Sequence, residues 1–165
     1  MDGPNVTING NAGWALGENL MHGRIALARN AGASVASSMR GGEVVVHGNA
    51  GSRAGISMKG GTLVVEGNTG FLTGFMMQKG RIIVYGDVGD GVGDSMYEGV
   101  IYVAGSIGSL GNDAKVEQMS EEELISLWED LEQYGIDKKP RFKKIVSARK
   151  LYHFDKLERL EKTVI

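Results

Sequence analysis

The stretch Gly42-Glu-Val-Val-Val-His-Gly48-Asn-Ala-Gly51-Ser-Arg-Ala-Gly55-Ile-Ser-Met58-Lys-Gly60 decides the fold of this 165-residue chain. It is one copy of a 19-residue unit, G-x-φ-x-φ-x-G-N-x-G-x-x-x-G-x-x-φ-x-x, in which φ is apolar. The unit recurs through the first two-thirds of the chain without a slip in its spacing. Repeats of this length are typical of solenoids, in which each unit buries its apolar side by stacking on its neighbours.

Apolar residues recur at three positions of the unit. Val44 and Val46 alternate as in a short strand, so both side chains face one side of it. Met58 then returns an apolar side chain to the same interior. We expect each of these side chains to contribute about 1.5–3 kcal/mol on burial. The three columns are Val6, Ile25, Val44, Leu63, Ile82 and Ile101; Ile8, Leu27, Val46, Val65, Val84 and Val103; and Leu20, Met39, Met58, Met77 and Met96.

Glycines mark the corners of each unit, where we expect them to permit positive φ without steric cost. Short strands and glycine corners predict an all-β solenoid over residues 1–112, a right-handed parallel β-helix of about six 19-residue coils. The left-handed hexapeptide helix does not fit, because it needs an apolar residue about every six positions. The residues that carry this prediction are Gly48, Asn49, Gly51, Gly55, Met58, Gly67, Asn68, Gly70, Gly74, Met77, Gly86, Gly89, Gly93 and Met96.

Two further columns are informative. Next to the first corner, a polar column predicts a structural ladder in which each side chain bonds its neighbours above and below. The middle strand position should face outward, yet it is largely apolar, so we expect this outer stripe to be covered. The polar column is Asn11, Asn30, Asn49, Asn68 and Asp87, and the outer stripe is Thr7, Ala26, Val45, Val64, Ile83 and Tyr102.

Residues 113–165 are predicted to form a C-terminal helix and a docking tail. Ser120 and Glu123 form a capping box that starts a helix of about 14 residues. Apolar residues at helical spacing follow, and Gly135 ends the helix. This helix, or a partner protein, is expected to cover the outer stripe. The apolar residues of the helix are Leu124, Leu127, Trp128, Leu131 and Tyr134.

The segment from Lys138 to Lys150 contains several basic residues and no acidic one. The run is short and follows an acidic helix, and the net charge is −2, so we do not expect nucleic acid as a partner. A protein-docking or solvated segment is the preferred interpretation, and residues 151–165 are predicted to form a short helix or an extended arm. Candidate docking residues are Lys143, Lys144, Arg149, Lys150 and Tyr152.

The sequence predicts no catalytic, cofactor-binding or metal site in this chain. It contains no cysteine, which excludes thiolate ligands for zinc or an iron–sulfur cluster. His22, His47 and His153 differ in repeat phase, so stacking does not bring them together. The carboxylates Asp87, Asp90 and Asp94 lie at three different corner phases, and the set is not repeated in another coil.

Nothing in the sequence indicates a membrane span or a signal peptide, and we expect a cytoplasmic protein. The longest apolar runs are short, and the start MDGPN lacks the charged and apolar regions of a signal.

The motif Gly-Asn-x-Gly-x-x-x-Gly-x-x-Met, at 48–58 and again at 67–77, resembles the signature of the C-terminal glycine-rich β-helix domain of the glutamate synthase large subunit. The third subunit of formylmethanofuran dehydrogenase carries a similar domain. The resemblance covers about residues 5–112. The segment Ser147-Ala-Arg-Lys-Leu-Tyr152 is similar to stand-alone versions, such as the small glycine-rich subunit of N-methylglutamate synthase.

The resemblance implies a non-catalytic structural subunit in a glutamate-synthase-like, glutamine-dependent flavoenzyme complex of glutamate biosynthesis. In that family the β-helix is a spacer between an amidotransferase component and a synthase component. The resemblance places FMN and an iron–sulfur cluster in partner subunits and none in this chain. No catalytic residue of the family falls on the matching motif.

Two alternatives stay open: the third subunit of a formylmethanofuran dehydrogenase, and a free-standing protein-binding β-helix module whose outer stripe takes a peptide or a second copy. If residue 1 is the true start, the chain is an independent subunit that assembles with separately made partners. Because the ends of a solenoid expose unpaired backbone, we expect partner contact or self-association there.

Overall fold

The computed structural model describes residues 3–149 of the chain, which form an eight-stranded sheet and one helix. The repeat unit places one strand of this sheet in each coil. These strands are β1 (Asn5–Ile8), β2 (Arg24–Leu27), β3 (Glu43–Val46), β4 (Lys59–Val65), β5 (Lys79–Val84) and β6 (Val100–Val103). They are followed by β7 (Ala114–Glu117), α1 (Glu121–Glu132) and β8 (Lys143–Ser147).

Strands β1 to β6 lie side by side in sequence order, and every neighbouring pair is parallel. Val44 pairs with Leu63, and Leu63 pairs with Ile82, so residues one repeat apart are vertical neighbours. Outside these strands, isolated parallel bridges also link residues one repeat apart in neighbouring coils, such as Ala31 with Ala50. The predicted parallel β-helix is therefore confirmed, while the right-handed winding stays a prediction.

Aliphatic and methionine side chains fill the interior of the coils. Because the repeat returns the same residue type to the same place, Val44, Leu63, Ile82 and Ile101 form a continuous column with no exposed surface. The methionine column behaves likewise from Met39 to Met96. The sequence prediction of this core is confirmed from the third coil onward, and in the second coil Leu27 and Met39 are buried while Ile25 is only partly buried. In the first coil Val6 is exposed, and Ile8, Leu16 and Leu20 are partly buried.

The segment after the last coil joins the same sheet. Strand β8 pairs antiparallel with β6 on one side and with β7 on the other. Ile145, in the middle of β8, is fully buried in the core that the coils share. The sequence pattern does not predict these two strands, since each is short and carries charged residues.

The predicted capping box of the helix is present. Glu123 N donates to Ser120 Oγ at 3.1 Å, and Ser120 N donates to Glu123 Oε2 at 3.2 Å. Glu121, Glu122 and Glu123 lie at the positive end of the helix dipole. The helix ends at Glu132, earlier than expected, and Gly135 adopts φ +75° in the turn that follows.

Candidate functional site

The polar column forms a continuous ladder of hydrogen bonds along the solenoid. In each step the side-chain Oδ1 accepts from the backbone N–H of the residue one repeat later. Asn30 Oδ1, for example, accepts from Asn49 N at 2.9 Å. The ladder starts at Asn11 and ends where Asp87 Oδ1 accepts from Ser106 N at 2.7 Å. The predicted hydrogen bonds of this column are present, and the Oδ1 atom of each member has a partner within the chain.

The glycine columns have two different physical causes, and one expectation about them was wrong. Gly55 does adopt φ +69°, and Gly74 and Gly93 repeat that conformation. Gly48 and Gly51 do not have positive φ. They are glycine because of space, since a Cβ at Gly51 would lie 2.8 Å from Ala33 N of the coil beneath. The same close approach explains the columns through Gly67 and Gly86 and through Gly70 and Gly89.

The outer apolar stripe is covered by the chain itself. Val45, Val64 and Ile83 pack with the buried face of α1 and with the segment that follows the helix, and all three are buried. This settles the expected cover in favour of the C-terminal helix. The side chains that cover the stripe are Leu124, Leu127, Leu131, Tyr134, Ile136 and Phe142.

Polar contacts bind the helix to the strands beneath it. Arg81 on β5 donates to Asp130 at 2.8 Å. Tyr134 donates its hydroxyl hydrogen to Glu43 on β3 at 2.9 Å. Burial of Tyr134, followed by this hydrogen bond to a carboxylate, raises the pKa of its hydroxyl. The helix and the turn that follows it are therefore tied by polar contacts to two different coils, those of β5 and β3.

The basic segment is held against the acidic groups of the same chain. Lys138 lies 3.2 Å from Glu66, Lys139 lies 3.1 Å from Glu132, and Arg141 lies 3.0 Å from Glu121. All of these side chains except that of Glu66 are largely exposed, so the pairs formed by Lys139 and Arg141 stabilise the fold only slightly. The run of positive charge read from the sequence is thus largely matched by acidic partners.

The candidate docking residues fall into two groups. Lys144 lies 2.8 Å from Glu123, Lys143 donates to Gly105 O at 2.6 Å, and Arg149 lies 2.6 Å from Asp113. The hydrogen bond to Lys144 lowers the pKa of Glu123. Lys150 and Tyr152 lie outside the described residues. Docking by this set stays a prediction, and the described members already have partners within the chain.

The residues weighed for metal binding do not converge. Asp94 accepts from Ser95 Oγ at 2.8 Å and from Asn112 N at 3.1 Å, while Asp87 is part of the ladder. Within residues 3–149 no group of three or more histidine, aspartate or glutamate side chains is arranged to hold a metal ion. His47 contacts Glu66, the residue one repeat later, and His153 lies outside the described residues.

A shallow polar groove of about 620 Å³ lies beside the starts of the first strands. Sequence reasoning did not predict it, because its residues meet only through stacking. Its main charged groups pair with each other, since Arg24 Nε lies 2.6 Å from Glu43 Oε2. The groove is open and its charges are already matched. It is lined by Gly3, Asn5, His22, Gly23, Arg24, Gly42, Glu43 and Thr62.

Tyr85 carries a hydroxyl that is buried and has no hydrogen-bond partner in the described part of the chain. Its ring packs edge-on against Phe142, with centroids 5.3 Å apart. Burial, with a smaller effect of the Glu66 carboxylate, raises the pKa of Tyr85 to about 12. The ring therefore packs, uncharged, beneath the C-terminal segment.

No helix among the described residues is long and apolar enough to span a membrane.

Comparison with curated proteins finds no significant match. Among solved structures, the chain is similar to one in the X-ray crystal structure of the formyltransferase/hydrolase complex (FhcABCD) from Methylorubrum extorquens in complex with methylofuran. The TM-score is 0.61 at 24% identity, over 79% of this chain and 59% of that chain. This likeness shows the shared fold, and this chain spans well under two-thirds of the neighbour's length.

A family model described as the GXGXG motif matches residues 1–146. The match includes all of the coils and most of the described C-terminal segment. The matched range leaves only residues 147–165 of the chain outside. The chain belongs to the GXGXG motif family, the glycine-rich β-helix family that its sequence resembles.

Proposed function

We propose that this chain is a non-catalytic structural subunit of a glutamate-synthase-like, glutamine-dependent flavoenzyme complex. In this proposal it separates an amidotransferase component from an FMN- and iron–sulfur-containing synthase component. The observation that carries the proposal is membership of the GXGXG family over residues 1–146. The polar side chains of the repeat are used within the stack, which is consistent with a scaffold.

The geometry of the coils suits a spacer. Neighbouring strands in a sheet lie about 4.8 Å apart, so β1 and β6 are separated by about 24 Å. The core columns and the ladder join successive coils, the helix adds a third connection from the third coil onward, and a stack joined in this way resists bending and compression. Such a body would hold two catalytic components at a fixed separation.

The composition of the chain decides which chemical functions the proposal assigns to partner subunits. With no cysteine, the chain supplies neither the thiol nucleophile of a glutaminase nor ligands for a cluster. In the proposal both functions, together with FMN, belong to separate partner subunits. This chain contributes surfaces and distance, and it has no activity of its own.

Co-expression with the amidotransferase and FMN-binding polypeptides of the same organism tests the proposal. We expect a stoichiometric complex by native mass spectrometry, with FMN bound to the synthase subunit. Omitting this chain should lower glutamine-dependent synthesis of glutamate much more than synthesis from added ammonium, because spacing matters for transfer between sites. If both rates are the same with and without the chain, the proposal fails.

A second candidate is the third subunit of a formylmethanofuran-dehydrogenase-type complex, for which fold likeness to a chain of the FhcABCD complex is the support. Co-purification of a molybdenum or tungsten pterin instead of FMN would favour it. The third alternative, a free-standing binding module, loses its expected binding face, since α1 covers the outer stripe. It would need another surface, and failure to bind either set of partner proteins would favour it.

A further inference from the structure

The first coil presents unpaired backbone groups on the side that faces away from β2. Within residues 3–149, β1 pairs only with β2. In the second coil, Arg24 N donates to Pro4 O at 3.0 Å, and Asn30 N donates to Asn11 Oδ1 at 3.0 Å. One repeat earlier, the corresponding donors are the N–H groups of Asn5 and Asn11, and no described residue lies beneath to accept them. This end of the solenoid is therefore a template for another strand.

The side chains of this first coil resemble the centre of a protein interface. Between Gly3 and Gly23, Glu18 is the only aspartate, glutamate, lysine or arginine. Trp14 is 85% exposed, and Val6 is 44% exposed. Exposed aromatic and aliphatic groups with few charges are typical of the buried centre of interfaces.

The two edge strands of the sheet differ in their protection. Strand β7, at the other edge, contains Lys115 and Glu117, and such charges discourage pairing with another chain. Strand β1 has the sequence NVTI and contains no charged residue. The described structure thus leaves one edge with its pairing groups open and without the usual charged protection.

The opposite end of the coils shows how a terminal strand of this solenoid is closed. Strand β8 pairs antiparallel with β6, and Ile145 lies opposite Ile101 with both side chains buried. A parallel coil in this protein therefore accepts an antiparallel strand that brings an aliphatic residue over the open core. The first coil needs a strand of the same kind, with its own apolar side chains and no charge.

We propose that the first coil binds a second copy of this chain, with β1 pairing antiparallel with β1 of the copy about a twofold axis. Twofold symmetry makes the same patch meet itself, which an antiparallel pair of identical strands satisfies. Each copy brings one charged side chain, Glu18, to this coil, so repulsion between the two faces is small. Trp14 and Val6 pack against the first coil of the copy. This assembly does not depend on the enzyme complex proposed above.

Analytical ultracentrifugation of the full chain and three variants tests this interface. Val6→Lys places a charge on the face, and Thr7→Pro removes an N–H that, like that of Asn5, points away from β2. Val116→Lys is the matched control, because Val116 is 48% exposed on the opposite edge strand. Circular dichroism and thermal melting confirm that each variant is folded before it is compared.

We expect the wild-type chain and Val116→Lys to form dimers with the same dissociation constant. Val6→Lys and Thr7→Pro should each raise that constant at least about tenfold. In a Trp128→Phe background, acrylamide quenching of Trp14 should decrease as the protein concentration rises. The proposal is overturned if the wild-type chain stays monomeric up to about 0.5 mM. It is equally overturned if folded Thr7→Pro dimerises as tightly as the wild type.

Discussion

Asn49 Oδ1 accepts a hydrogen bond of 2.8 Å from the backbone N–H of Asn68, the residue one repeat later in the chain. The same relationship links each coil to the next along the whole polar column. A side chain thus supplies an inter-coil bond at the corner next to each strand. The repeat keeps asparagine or aspartate here because the position needs a short side chain with an acceptor oxygen.

Two replacements of Asn49 show how much the acceptor oxygen of its side chain contributes to stability. Asn49→Ala leaves Asn68 N without its partner, and we expect a loss of about 1 kcal/mol in the free energy of unfolding. Asn49→Asp keeps an acceptor and should lose much less at neutral pH. Urea unfolding of the three proteins measures the difference. Equal losses for alanine and aspartate would show that the ladder bond does not matter for stability.

The last member of the ladder makes stability depend on pH. The hydrogen bond from the Ser106 backbone lowers the pKa of Asp87 below its ordinary value. A group with a lowered folded pKa stabilises the fold above its unfolded pKa, and this contribution is lost as the pH falls through the folded pKa. We expect Asp87→Asn to lose less stability than the wild type between about pH 5 and pH 2. Parallel acid-dependent urea curves for the two proteins would contradict this assignment.

Gly51 and Gly13 occupy the same position of the repeat, but only Gly51 has a coil beneath it, so Gly13 is a control for the effect of crowding. A Cβ at Gly51 would lie 2.8 Å from Ala33 N, whereas at Gly13, in the first coil, it meets nothing within 4 Å. We expect Gly51→Ala to destabilise the protein by about 1–3 kcal/mol through forced separation of the coils. Gly13→Ala should be neutral or slightly stabilising, because it restricts the unfolded chain. Thermal melting compares them, and equal effects would reject the role of space.

The helix that covers the outer stripe provides a fourth stability test. Leu131 is fully buried against the stripe, whereas Ile125 is 48% exposed on the same helix. Leu131→Ala should lower the free energy of unfolding by about 2–5 kcal/mol. Ile125→Ala should change it by less than about 0.5 kcal/mol, as is usual for surface positions. Similar losses at both positions would mean that α1 does not pack as described.

Much of the solenoid could be predicted because its information is local and repeated. The vertical pairing of Val44 with Leu63 follows from the 19-residue step alone. The start of α1 follows from Ser120 and Glu123, since a capping box acts within four residues of chain. The sequence also predicts that something covers the outer stripe, because exposed Val64 and Ile83 side chains on adjacent coils would be unfavourable.

The remaining features depend on contacts that have no local signature. Strand β8 forms because Ile145 covers the end of the core next to Ile101, and a five-residue segment with two lysines does not indicate this. The cause of each glycine was equally hidden. Gly51 has no positive φ but would bring a Cβ against the backbone of Ala33, whereas Gly55 has φ +69° and would bring a Cβ against the side chain of Ile82. The backbone conformation and the position of the neighbouring coil distinguish them, and neither can be read from the sequence.

A distance between two spin labels tests the stacking of the coils most directly, and the absence of cysteine makes specific labelling simple. Met21 and Tyr97 are exposed and stand four repeats apart in one column. In Met21→Cys/Tyr97→Cys, diluted with unlabelled protein, double electron–electron resonance should give a narrow distribution near 19 Å, at about 4.8 Å per coil. Moving the first label to Arg40 should shorten this distance by about 5 Å. A broad distribution, or one beyond about 30 Å that does not follow the repeat number, would contradict the stack.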